Sequence, residues 1–421
     1  MRKNVFFIPV ASTVHTARVQ SRIARARSLL SSRGLKVYGS VKPVCSPSEA
    51  PSFSPEEYDV VVIFVASGGT SRTLAELAFR KNWMLWAYHE NNSLPSALSA
   101  KEKLEALEGW RGEIVYSQLK DAPKEVLAEV EASQALKTLR GLTFLLLTGE
   151  NKLKELKPKL EKLSKVFGLK ALPVSFTALM KVYEEVETGK VEEVLKEKLG
   201  GVKLARVSAE SLKKPLKLYL AVKNLLEKFK AEALTIDCFP FITGKGFTPC
   251  IMLSLLNSEG VPAVCEADID TLPIFLALSK TLKKPVWMAN LSGFNSVGKT
   301  VTLAHCTAPL SLKGKRTFPA RFKSHFETGM DISLDIFLPR GPVTLSHFSL
   351  GNFRLTVAYG ILVKSQLGLP GMCRSQARVK VEGSLERLLA STGNHQILCY
   401  GNQVEMLTRF GRKIGVETVI A

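Results

Sequence analysis

Nowhere do the 421 residues run to about eighteen apolar positions free of charge, so no segment is expected to span a membrane. Cysteine is sparse and irregular. Seven occur, at 45, 238, 250, 265, 306, 373 and 399, an odd number without a CxxC pair, which signals neither a disulfide framework nor a structural zinc site. They are expected to be buried thiols in a reducing compartment. A leader peptide is not expected either. Met1-Arg2-Lys3-Asn4 opens with the right charge, but Val5 to Val10 is short and no small-residue cleavage site follows, so a buried first strand fits better. The expectation is a soluble, cytoplasmic protein.

Acidic residues are outnumbered, 38 against 58 Lys and Arg, leaving a formal charge of +20. That excess raises nucleic acid as a partner. Much of the lysine between Asn151 and Lys230, however, alternates with glutamate, as in Lys159-Leu160-Glu161-Lys162 and Lys196-Glu197-Lys198. Mixed signs at helical spacing read as solvated helix faces, and nucleic acid is not the expected partner.

Three sections follow from the patterning, at 1–140, 141–300 and 301–421. The first alternates strands with helices. Val5 to Val10 and Asp59 to Val65 are short, nearly all-apolar, β-rich runs. A helical stretch covers Thr16 to Arg33, and another opens at Ser67-Gly68-Gly69-Thr70 and runs to Arg80. Strands buried on both faces and alternating with helices imply a parallel sheet covered on each side. A second α/β unit begins near Leu142 and leads to the strand Ala233 to Asp237. From Val301 the runs Val301–His305, Ile332–Ile336, Val343–His347 and Ala377–Val381 alternate between Gly and Pro turns, which describes an antiparallel β section.

Histidine is scarce, with six in all. Two stand in telling places. His305 ends the strand Val301-Thr302-Leu303-Ala304, and His395 precedes the apolar run Ile397-Leu398-Cys399-Tyr400. Glu266 lies in Val264-Cys265-Glu266-Ala267-Asp268-Ile269-Asp270, an acidic cluster after an apolar strand. Charge at a buried strand end costs several kcal/mol unless it is paired or metal-bound.

Ordered fragments along nearly the whole chain carry a resemblance. They are Ile236-Asp237-Cys238-Phe239, Thr248-Pro249-Cys250, Leu256-Asn257-Ser258-Glu259-Gly260-Val261-Pro262 and Cys265-Glu266-Ala267-Asp268-Ile269. Then come Ala304-His305-Cys306-Thr307-Ala308-Pro309, Ser324-His325-Phe326-Glu327-Thr328-Gly329, Cys373-Arg374-Ser375-Gln376 and Gly393-Asn394-His395. In this order they resemble the L-fucose isomerase and L-arabinose isomerase superfamily, in a short, divergent form. Gly68-Gly69-Thr70 and the run Asn92 to Leu98 look similar too. The resemblance implies two Rossmann-like parallel-sheet domains, a β-rich, barrel-like C-terminal domain, a divalent cation of the Mn²⁺ type, a sugar substrate, and a homo-oligomer, trimer or hexamer. By position, Glu266 matches the metal-binding and proton-transferring carboxylate, and His305 and His395 match the ligand imidazoles. Carboxylate oxygens with imidazoles suit Mn²⁺, Co²⁺ or Mg²⁺.

One position departs from the family. Its second carboxylate falls near Pro285-Val286-Trp287-Met288-Ala289-Asn290, and from Trp287 to His305 this chain has neither Asp nor Glu. Asn290 is the nearest equivalent ligand, with Asp268 as a compensating catalytic carboxylate or an orienting group. The function expected is aldose–ketose isomerisation through an enediolate, with Glu266 shuttling the proton. The alternative is a sugar-binding or regulatory protein that keeps the pocket without turnover. His325, Glu327 and Arg374 are candidate substrate contacts. Gly68-Gly69-Thr70 lacks GxGxxG spacing and reads first as a tight strand–helix turn. Gly293 with Gly298-Lys299-Thr300 echoes a P-loop but runs into a strand.

Overall fold

A computed structural model describes residues 3–79, 81–107, 112–200, 202, 208–313 and 320–421. It divides into two compact units, Met1–Gln134 and Ala135–Ala421.

The first unit follows from alternating apolar runs. Strands β1 (Asn4–Val10), β2 (Lys36–Gly39), β3 (Val60–Val65), β4 (Met84–Tyr88) and β5 (Glu113–Ser117) form one parallel sheet in the order β2-β1-β3-β4-β5. Residues of opposite parity feed two separate cores. Val5, Phe7, Val62, Phe64 and Trp86 pack with α1 (Thr16–Ser32) and the first turns of α4 (Lys124–Leu139). Phe6, Ile8, Val61, Ile63 and Leu85 pack with α2 (Ser71–Ala78) and α3 (Ser93–Ala106). Strand side chains alternate between faces, so runs apolar at every position require helices on both sides. The helix expected from Ser67 to Arg80 is observed as α2, and Arg80 itself lies outside the described residues.

The second unit opens on a four-stranded parallel sheet, ordered β7-β6-β8-β9. Its strands are β6 (Thr143–Leu147), β7 (Lys170–Val174), β8 (Ala233–Ile236) and β9 (Ala263–Val264). The associated helices are α5 (Glu150–Phe167), α6 (Phe176–Glu184), α7 (Thr188–Leu199), α8 (Ala209–Lys228), α9 (Cys238–Lys245), α10 (Cys250–Ser258) and α11 (Leu272–Leu282). The Lys/Glu alternation of α5 to α8 yields surface pairs such as Lys152–Glu155, Lys213–Glu210 and Lys217–Glu184. Part of the lysine in this stretch is thus set beside acid on helix faces, where each pair contributes little stability.

A closed antiparallel barrel follows. Strands β10 (Trp287–Asn295), β11 (Thr300–His305), β14 (Gly341–Ser349), β15 (Arg354–Ser365), β16 (Ser375–Val381) and β17 (His395–Tyr400) run in the order β14-β17-β10-β11-β16-β15. Pairing of β14 with β15, from Gly341↔Leu362 to Ser349↔Arg354, closes the ring. A hairpin of β12 (Ala320–Lys323) and β13 (Ser333–Ile336) stands apart. Helices α12 (Leu385–Ser391) and α13 (Val404–Ile414) and strand β18 (Glu417–Ile420), parallel to β15, complete the chain. The barrel takes its first strand from Trp287, ahead of the section boundary expected at 300. The β10–β11 hairpin carries Gly298-Lys299-Thr300 at its turn, with Lys299 at φ +47°, so these residues do not open a helix.

Sheet and barrel are tied together within this unit. Asp270, just before α11, accepts the Leu350 amide at 2.7 Å and pairs with Lys159 of α5, while Lys162 donates to the Leu350 carbonyl at 2.6 Å.

Candidate metal centre

Strands β8 and β9 pair in parallel, Leu234↔Ala263 and Thr235↔Val264. Their C-terminal ends, where open α/β sheets bind ligands, therefore lie side by side. The chain leaves β9 through Glu266 at φ +62° and Ala267 at φ +47°. Two consecutive side-chain-bearing residues in the left-handed region are costly, and such strain persists where surroundings enforce it. Here the Ala267 amide donates to the Ile236 carbonyl at 2.8 Å, pinning the turn to the end of β8 and projecting the Glu266 side chain.

The barrel supplies two imidazoles. Asn290 on β10 is paired with His395 on one side and Ala304 on the other, so His395 stands level with Asn290 and His305 one residue beyond that level, on the strands flanking β10. Their ring centroids are 6.0 Å apart. Glu266 lies between them, Oε1 3.5 Å from His305 Nε2 and Oε2 3.4 Å from His395 Nε2. Both Nε2 atoms are buried without a hydrogen-bond partner among the described residues, and 3.4–3.5 Å exceeds a normal N–H···O distance. One donor atom from each of the three residues lies within 4.8 Å of the others.

Hydrogen bonds behind the rings set their protonation. His395 Nδ1 donates to Asp268 Oδ2 at 2.7 Å, and Asp268 also accepts the Thr271 amide at 2.9 Å and the Thr271 hydroxyl. Burial would raise the Asp268 carboxyl, but His395 and Thr271 outweigh it and hold it below its usual range. An ionised Asp268 fixes the His395 proton on Nδ1 and turns the Nε2 position toward Glu266. Burial opposes charge on His395 as well, yet Asp268 and Glu266 push its imidazole up to about 9. For Glu266, burial is likewise outweighed by the two histidines, which hold the carboxyl well below its ordinary range. A proton on Nε2 and a cation are two ways of filling the same gap. At His305, Nδ1 accepts the Cys306 amide at 2.9 Å and lies 3.1 Å from the Thr307 hydroxyl. A neutral His305 that accepts at Nδ1 carries its proton on Nε2, facing Glu266, and a cation there would displace that proton. Orphaned nitrogens facing a carboxylate fit a divalent cation of the O/N-liganded kind.

The remaining expected residues sit around this core differently. Asn290 shares the strand level, but its Oδ1 accepts from Asn394 Nδ2 at 3.1 Å. His325 is buried, 3.0 Å from the Thr328 hydroxyl, and its ring reaches the Cys306 thiol; burial lowers its basicity, and Cys306 and Glu327 more than restore it. Arg374 holds the His325 loop, donating from Nε to the Ser324 carbonyl at 2.7 Å and stacking its guanidinium over Phe326. Glu327 is exposed. In the first unit, Gly68 and Gly69 border a cleft of about 900 Å³ with Ser12, His15, Asn91 and Asn92. Thr70 is satisfied locally by the Ser67 carbonyl and the Ser96 hydroxyl, as a tight strand–helix turn requires.

Of the cysteines, expected as buried thiols, five gather here: Cys238, Cys250, Cys265 and Cys306 are buried and Cys373 is half-buried. Cys306 is hydrogen-bonded to Cys250, Cys373 and His325, which hold its thiol well below the usual range, and Cys238 meets Cys265. The signal that was present is adjacency: Cys265 precedes Glu266 and Cys306 follows His305. Neither a protein-family model nor a curated protein matches the chain.

Proposed function

We propose that the chain is a metal-dependent aldose–ketose isomerase acting on a sugar. The observation that carries this reading is Glu266 set between two buried, unpartnered imidazole nitrogens, one of them fixed by Asp268. Glu266, His305 and His395 would hold the cation. When bound, it would polarise a sugar carbonyl and stabilise the enediolate, with Mn²⁺ a suitable ion for such donors.

Isomerisation moves a proton between adjacent carbons, and such base assistance is worth about 10²–10⁴ in rate. We assign that proton transfer to Glu266, whose carboxylate faces both imidazoles. Asp268 is not suited to it, because both of its oxygens are engaged by His395 and Thr271. It acts as a positioning residue that keeps the His395 ring in one tautomer and orientation. His325 and Arg374 border the site through Cys306 and the 324–330 loop, and they support substrate orientation.

A second reading rests on Asn290. An amide engaged by Asn394 stands where a further carboxylate would serve turnover, which favours a sugar-binding protein without chemistry. One experiment separates the two. The full chain, loaded with Mn²⁺, is incubated with a panel of pentoses and hexoses, and ketose formation and thermal shift are followed together. Isomerisation lost in Glu266→Gln supports the enzyme. Sugar-induced stabilisation without conversion supports the binder. If the protein takes up no divalent ion at millimolar supply, both metal-based readings fall.

A further inference from the structure

Glu266 belongs to two donor groups. Besides the histidine pair, its carboxylate lies with Cys238 Sγ and Cys265 Sγ in a set whose atoms are all within 4.8 Å of one another. We propose that Cys238, Cys265 and Glu266 bind a second, thiolate-liganded cation of the Zn²⁺ type, with the Glu266 carboxylate bridging it to the cation held by His305 and His395.

The parallel register brings these residues together. Thr235 and Val264 are the last paired positions of β8 and β9. Cys265 follows directly, and Cys238 begins α9 three residues after Thr235, so both thiols top adjacent strands beside the strained Glu266 turn. Donors 2.0–2.3 Å from a tetrahedral zinc lie about 3.3–3.8 Å apart, so the observed set closes with roughly 1 Å of movement. Two buried thiols and one carboxylate select a softer ion than two imidazoles and one carboxylate, so the neighbouring sites differ in preference. Each Glu266 oxygen faces one imidazole and retains a second lone pair, as a bridge requires. The charges also agree. Two thiolates with the carboxylates of Glu266 and Asp268 match two divalent cations, and the thiol protons leave to solvent as the ion binds.

The inference depends on the first cation site only through Glu266, and on no sugar chemistry. It is tested on the full chain, stripped with chelator under reducing conditions and titrated with Co²⁺, which develops a thiolate charge-transfer band when sulfur enters its coordination. Wild type should take up two equivalents, one carrying the band. Cys238→Ser with Cys265→Ser should lose the band and keep one equivalent. His305→Asn with His395→Asn should keep the band with one equivalent, even if no sugar is ever converted. A wild type without the band, or one binding a single equivalent, overturns the proposal. A second measurement needs no variant: Zn²⁺ should slow alkylation of Cys238 and Cys265 at least tenfold, mapped by mass spectrometry, and leave Cys45 unchanged. Equal labelling with and without Zn²⁺, or a Cys238–Cys265 disulfide that Zn²⁺ does not prevent, also overturns it.

Discussion

At the scale of single residues, the centre depends on where one proton sits. Asp268 holds the His395 proton on Nδ1 at 2.7 Å, and Nε2 is thereby aimed at Glu266. Asp268→Asn keeps the shape but can present its amide nitrogen to Nδ1, which inverts the tautomer and places a proton where the cation belongs. Mutation of such outer partners typically weakens metal binding 10–100-fold. Competition of the stripped protein with a chelating dye for Mn²⁺ should show that loss for Asp268→Asn, with secondary structure unchanged; equal affinity would remove Asp268 from the site. These residues were legible in the sequence because histidine and buried acid are rare and stood at the ends of apolar runs. The thiols were not. Their meeting depends on the register of β8 against β9 and on the strand neighbours of β11, and no local pattern encodes either.

Elements show the same division. The strands that the sequence made plain are uninterrupted apolar, β-branched-rich runs such as Val60–Val65, buried on both faces. Strand β9, two residues long, lies in the apolar run expected before the acidic cluster, whereas β10 passes from buried Trp287 to exposed Asn295 and its run does not declare itself. The membership of β10 in the barrel is set by non-local pairing with β17 and β11. Within the barrel, Gly360 of β15 sits where an added Cβ would meet the Lys380 carbonyl oxygen at 2.5 Å and Val379 Cγ1 at 2.8 Å. Gly360→Ala should therefore cost about 1–3 kcal/mol by overpacking the sheet, read by denaturant titration. Helices α7, α8 and α10 meet at Glu259, which accepts the Tyr219 hydroxyl at 2.6 Å and pairs with Lys198 and Lys223 at 3.2 and 3.4 Å. Burial raises this carboxyl, but Tyr219 and the lysines outweigh it and depress it below its ordinary 4.5. A depressed carboxyl stabilises the fold fully above its ordinary value, and that contribution fades as pH falls through the depressed one. Glu259→Gln, at a solvent-screened site, should cost about 0.5–1 kcal/mol at pH 7, with the gap to wild type narrowing in acid. A pH-independent gap would assign the loss to packing.

Over the whole molecule, the candidate ligands join parts of the second unit that are far apart in the chain. Glu266 leaves a parallel sheet, whereas His305 and His395 belong to strands of a closed barrel. A cation bound by all three closes long loops in the folded form that an unfolded chain has no preformed site to hold. At a free concentration a hundredfold above Kd, such binding stabilises the fold by about 2.7 kcal/mol. Calorimetry of stripped and Mn²⁺-loaded protein should show the corresponding rise in Tm, and Glu266→Gln should abolish it. Amide exchange locates the effect. Slowing is expected at the ends of β8 and β9, around His305 of β11 and at the start of β17. Protection confined to the Lys/Glu-rich helices α5 to α8 would mean that the cation sits on surface carboxylates, and the linkage between sheet and barrel would have to be abandoned.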